Sequence, residues 1–337
     1  MNFRKTTPSL ILLILITASA LDCFAQKQLI VDEVAKLRQA RSELSPKNDN
    51  SAFDVQFRDL ESDLTAGRLY AALYKLQNLW LAVASFDFNE KKSVVVQDRL
   101  PLLEVEWKEV GLELSAKEKR FSPALIDALP ALSRGIIEAS RHRSRPLYQS
   151  SILYAKNTNP NQGLYYMGNA RANIDLALFT QNLRFEPKKN SLRFMSLDKE
   201  LTSLEREIID AYRGSTPEEQ TRYNALNAAL KLAQELNDRG WFEGAALKYF
   251  DVLLSFGLLK NPSVNSGEVS TLKAKLSEDL TTLNKGQIDH SLGIAFLQLA
   301  GGLLANDPVN ESDLKRAKVI LDEVLPEYRK IFYKGSR

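Results

Sequence analysis

The sequence predicts an all-α protein, and three observations carry that prediction. Apolar residues recur at helical spacing through nearly the whole chain. The only β-branched cluster, "SVVVQ" from Ser93 to Gln97, is too short for a convincing strand. Glycine (15) and proline (12) are few among 337 residues. The abundant Leu, Ala, Lys, Glu and Gln are good helix formers.

The first element is of a different kind. "MNFRKTTPS" carries Arg4 and Lys5 and no acid, "LILLILITASAL" follows as an apolar run, and "CFAQ" offers Ala25 before Gln26. That is the order of a secretory signal peptide over residues 1–25, with Ala20 as the other cleavage position. The apolar run is short for a transmembrane span, which takes about 20 residues. Cys23 is the only cysteine. Lipidation there would need small residues before it, and the acid of Leu21-Asp22 departs from that pattern. Membrane contact is therefore expected only through the leader or through such lipidation. A chain cleaved after Ala25 has no disulfide and no thiol chemistry. The periplasm or outer envelope of a Gram-negative bacterium is the expected compartment.

Beyond the leader, the periodicity predicts helices near 28–45, 52–65, 68–87, 94–113, 123–142, 145–157, 163–184, 191–213, 217–238, 242–257, 267–284, 288–305 and 312–333. "FSPALIDAL" places Ser122 at an N-cap and Pro123 at the first helical position. "STPEEQ" places Thr216, Pro217 and Glu219 as a capping box with the favoured proline. "NPNQG" (159–163) and "KNPSVNSGE" (260–268) read as loops. "FEPKKNS" (185–191) reads as a boundary between an N-terminal region, 26–186, and a C-terminal region, 187–337. Pro101 and Pro326 fall within helical patterns and should kink or break them.

One hairpin is well specified. Leu226, Leu230, Ala233 and Leu236 make an apolar face before the turn at Asp238-Arg239-Gly240, and Phe242, Ala245, Tyr249, Val252 and Leu253 make a second after it. Ala233 and Ala245 let the two backbones approach. Leu232-Ala233, Gly240, Phe242, Ala245 and Tyr249 stand at the spacing of a tetratricopeptide repeat, which residues 225–254 resemble. The departures are Ala229 where that family commonly has Trp, Leu236 where it has Tyr, and no closing proline. Weaker echoes lie at Gly67, Leu69, Ala72, Leu76 and Leu79, at Leu314, Ala317, Leu321 and Val324, and in 167–183. Their spacing is irregular. Helical hairpins stacked as a degenerate α-solenoid, or an irregular helical bundle, are the expected architectures. The resemblance implies a concave surface able to hold a peptide, with Asn227, Lys231, Gln234 and Asn237 on it. The plainer alternative makes those four a solvated helix face.

Catalytic groups are sparse. The chain has 2 histidines, His142 and His290, and neither has a second histidine one helical turn away, so no metal site is expected. No phosphate-binding glycine loop, nucleophile elbow or cofactor motif is present in the sequence. "SRHRSR" places Arg141, His142, Arg143 and Arg145 together, read as a solvated basic helix end or as an anion patch for a phosphate or acidic partner. His290 reads as a helix-start residue. Tyr148, Tyr154, Tyr165 and Tyr166 surround an amide-rich stretch, a groove for sugar or peptide or, more simply, packing. A net charge of +3 with 26% charged residues excludes the strongly basic footprint of a dedicated nucleic-acid binder. Two functions remain. One is an exported, non-catalytic protein that binds a protein or peptide partner. The other is an envelope glycan or peptidoglycan hydrolase acting through paired carboxylates such as Glu104 and Glu106.

Overall fold

The computed structural model describes residues 8–44, 51–183, 193–214, 216–285 and 287–334, with side chains from residue 26 on, residues 51 and 334 excepted. The side chains of the expected leader, Cys23 included, and the expected boundary at 185–191 lie outside the described residues. The fold is all-α: α1 (Pro8–Glu43), α2 (Ser51–Thr65), α3 (Leu69–Val96), α4 (Leu100–Glu118), α5 (Pro123–Asp127), α6 (Ala131–Asn157), α7 (Pro160–Asn182), α8 (Asp198–Ala211), α9 (Pro217–Asp238), α10 (Phe242–Leu259), α11 (Val269–Asn284), α12 (Ser291–Leu303), α13 (Glu311–Val319) and α14 (Leu325–Lys334). No helix among the described residues is long and apolar enough to cross a membrane.

Several expected boundaries are corrected. The lysine-rich stretch before Val94 continues α3, since it contains no breaker and Asp87 pairs with Lys91 one turn on at 2.8 Å. The chain leaves the helix instead at Gln97 and Asp98, both in the left-handed region (φ 48° and 57°), and Pro101 then opens α4. The expected helix 123–142 is divided at Pro130, while Pro146 lies inside a continuous α6. Asn159–Gly163 starts a helix and is not a loop: Asn159 caps α7 by accepting from the Gln162 N–H at 2.8 Å. At Pro326 the helix does not break. A wide π turn at Ile320–Val324 precedes it, where a tight turn would set the proline ring against the carbonyl four residues back.

The hairpins at α2–α3 and α9–α10 share one turn. Gly67 (φ +74°) and Gly240 (φ +75°) each adopt the left-handed conformation that favours glycine. Gly67 N–H donates to Leu64 and Arg68 N–H to Asp63. Gly240 N–H donates to Asn237 and Trp241 N–H to Leu236. The two patterns have identical offsets, those of a Schellman helix end.

The N-terminal and C-terminal regions share one core. A continuous apolar cluster runs from Ile30 through Leu76, Ile136, Phe250 and Phe296 to Phe332. At its centre α6 crosses α10 closely. A Cβ added at Gly135 would lie 2.8 Å from the Glu243 carbonyl oxygen, and one at Gly244 would lie 2.9 Å from the Glu138 Cβ. Ala245, beside Gly244, is fully buried. Ala245→Trp is expected to overpack the core beside this crossing, where the hairpin helices α9 and α10 meet, and to destabilise by roughly 1–3 kcal/mol. An unchanged melting temperature would show that no tight contact exists there.

Four helices have their first turns satisfied by distant side chains. Gln298 accepts from the Tyr70 and Ala71 N–H groups of α3, both at 3.0 Å. Asp289 and Ser291 accept from Ala131 and Leu132 at the start of α6, at 2.6 and 3.1 Å. Asn237 accepts from Leu197, just before α8, at 2.8 Å. Glu138 accepts from Gly244 in the first turn of α10 at 2.6 Å. None of these helices is capped by its own preceding residue.

Candidate functional site

The basic cluster of "SRHRSR" lies mid-helix on α6, not at a helix end, and its members part ways. His142 is the clearest correction. It is 5% exposed, with Nε2 2.8 Å from Glu235 Oε2 on α9 and its ring edge-on to Trp241. It is not solvated, because α9 and the following turn pack over it. Its Nδ1 is buried without a hydrogen-bond partner among the described residues. Arg141 is half-buried. Its Nε reaches Glu118 at 3.1 Å while its guanidinium lies over the rings of Phe121 (4.3 Å) and Trp241 (5.4 Å). Arg143 and Arg145 are exposed.

A groove of about 920 Å³ opens beside this cluster. The end of α4 supplies Lys119 and Gly111, α6 supplies Arg141, His142, Arg145 and Tyr148, and the α9–α10 turn supplies Arg239 and Trp241. Tyr148 is held in the wall by stacking on Trp107, with ring centres 4.9 Å apart, and by donating its hydroxyl to the Trp107 carbonyl at 3.0 Å. Lys119, Arg145 and Arg239 pair with no carboxylate among the described residues, although Arg239 sits 5.9 Å over the Trp241 ring. Four cations with Glu118 leave the groove positive, and its aromatic wall lowers the local dielectric. Arg143 turns to a smaller adjoining cavity of about 190 Å³, with Tyr154, Tyr166, Leu232 and Glu235.

The four α9 residues do not form one open face. Asn237 is 6% exposed, and besides its bond to Leu197 it donates to Asp198 Oδ1 at 2.6 Å. It is a clamp on α8, and a bound peptide would have to displace it. Gln234 is half-buried and reaches Glu205 at 3.4 Å. Asn227 is half-buried, and Lys231 is exposed.

The remaining chemistry is bound up in structure. Glu106 is buried on Lys92 at 2.7 Å and Glu104 faces Lys156 at 3.8 Å. His290 precedes α12, is 4% exposed, and its Nδ1 lies 3.0 Å from the Tyr328 hydroxyl. Tyr154 and Tyr166 stack on each other at 4.1 Å, and Tyr165 packs on Phe86. Among the described residues no group of three or more His, Cys, Asp or Glu is placed to hold a metal ion.

Sequence reasoning found Arg141 and Arg145 because they are neighbours one turn apart. It missed Lys119, Arg239 and Trp241, which come from other elements. The available signal was the turn "NDRGW", whose glycine orients Arg239 and Trp241 together at a hairpin tip. The chain matches no protein-family model, no curated protein and no solved structure.

Proposed function

We propose that this is an exported, non-catalytic helical-repeat protein that binds a protein or peptide partner in the cell envelope. The groove carries the reading. It joins an aromatic wall to three cations that pair with no carboxylate among the described residues, a composition suited to holding a ligand, and no paired carboxylates or nucleophile–base pair is among its lining residues. The identical turns of α2–α3 and α9–α10 support the repeat component. The leader-like first 25 residues support export. The hydrolase alternative gains nothing from Glu104 and Glu106, each tied to a lysine.

The test is cross-linking of the protein in its native envelope, followed by identification of what co-purifies. A stoichiometric protein partner is the expected result. Glycan fragments, or no protein at all, would count against the reading and favour an assay for wall cleavage.

A further inference from the structure

We infer that the groove between α4, α6 and the α9–α10 turn recognises an acidic peptide segment, with carboxylate side chains seated on Lys119, Arg145 and Arg239. The inference rests on the partner-binding reading and names its chemistry. Three features carry it.

The first is the division of labour among the cations. Arg141 is already neutralised by Glu118 and fixed between two aromatic rings, so it builds the wall. Lys119, Arg145 and Arg239 are exposed and have no carboxylate partner among the described residues, and they stand on three separate elements around one cavity. Like charges gathered without counter-charges repel one another, and an anionic ligand relieves that repulsion. Solvated surface cations scatter singly, whereas these three converge.

The second is a backbone acceptor. Pro146 lines the same groove and has no N–H, so the carbonyl of His142, one turn earlier in α6, lacks its usual helical donor. A peptide offers N–H donors as well as carboxylates. A nucleic-acid phosphodiester offers only acceptors to that carbonyl, and inorganic phosphate offers a P–OH but no run of amide donors.

The third is scale. At about 920 Å³ the groove is near the upper limit for small-molecule sites, which run from about 300 to 1,000 Å³. It suits a short extended segment. A nucleic-acid site needs cations along a phosphate track, and the balanced net charge of +3 supplies no such track.

The experiment is a fluorescence-anisotropy titration of the purified protein with a labelled Asp/Glu-rich peptide. Its Asn/Gln counterpart, inorganic phosphate and a single-stranded oligonucleotide serve as competitors. Arg145→Glu/Arg239→Glu is compared with Lys273→Glu/Lys285→Glu, an equal charge change on exposed residues elsewhere, after melting curves establish that both fold. The acidic peptide should bind the wild type and the control alike and weaken with added salt. It should lose at least about tenfold in affinity in the groove variant. Equal binding of the amide peptide, or full retention by the groove variant, overturns the inference. Tighter binding of phosphate or the oligonucleotide replaces the peptide with another anion class and overturns it too. Cross-linking separates the two levels. A protein partner captured equally by wild type and groove variant removes the groove assignment while partner binding stands. Absence of any protein partner removes the functional reading itself.

Discussion

Arg134→Ala is expected to destabilise the protein by about 3–5 kcal/mol, the cost of leaving a buried charge without its partner. Arg134 is fully buried on α6. Its Nε and Nη2 donate to Glu243 Oε1 of α10 at 3.1 and 2.9 Å, and Nη1 donates to the Leu129 carbonyl. The Glu243 side chain is only 4% exposed. Truncation strands its carboxylate beside Glu138, with Arg193 at 3.4 Å as the remaining cation. It also removes a guanidinium stem packed where the two helices cross. The pair itself is worth less than the truncation costs, since both ions are desolvated in forming it. Arg134→Met/Glu243→Leu should therefore lose much less than the sum of the single changes, with a coupling of up to about 3 kcal/mol. Denaturant unfolding with an unchanged slope measures Arg134→Ala, Arg134→Met, Glu243→Leu and the double variant. A loss below about 1 kcal/mol in Arg134→Ala would mean that water reaches the pair and that it is an ordinary surface contact.

The Arg134–Glu243 pair also shows where sequence reading stops. Elements were legible because their signals are local: Thr216 caps α9 by accepting from Glu219 at 3.1 Å, as "STPEEQ" implies, and Gly240 terminates the same helix. The starts of α3, α6, α8 and α10 carry no such signal, because their orphan N–H groups are met by Gln298, by Asp289 and Ser291, by Asn237 and by Glu138. Those caps are separated in sequence and exist only once the helices pack. The same property blurs 123–142. Pro146 falls at the start of the expected helix 145–157, yet one helix runs through it from α6's start, and Pro130 marks the start that matters.

The candidate site divides along the same line. Arg141 and Arg145 were visible as a basic run, but their chemistry differs because one is stacked and paired while the other is exposed with no carboxylate partner among the described residues. A run of like residues fixes spacing on a helix, and packing decides which members face solvent. His142 could not be read as buried from α6 alone, since α9 supplies both its cover and Glu235. Asn237 reads as one more polar residue on a helix face until Leu197 and Asp198 arrive from α8. The groove is a property of three elements at once, which is why Lys119 and Arg239 went unseen.

The same crossing of α6 and α10 predicts a pH dependence. Burial, and then the charge of Glu243, push the Glu138 carboxyl from its ordinary 4.5 up to about 8, against the opposing Gly244 N–H, Arg134 and Arg193. The folded protein therefore holds a proton that the unfolded chain releases, and stability falls as pH rises wherever the folded state binds more protons. The contribution is complete below about pH 4.5, declines through neutrality and is gone above about pH 8. Its size is on the order of a few kcal/mol. Glu138→Gln is neutral at every pH and keeps an oxygen to accept from Gly244. Its stability, measured by denaturant midpoint, should lie near the wild type at about pH 5 and exceed it by a growing margin toward about pH 9. Taking the difference between the two proteins cancels the titration of groups that do not interact with Glu138. A difference that stays flat across that range would place Glu138 in water with an ordinary carboxylate. A wild type that gains on the variant as pH rises would show that the α10 N-terminus and the two arginines outweigh burial, holding the carboxylate ionised at the crossing.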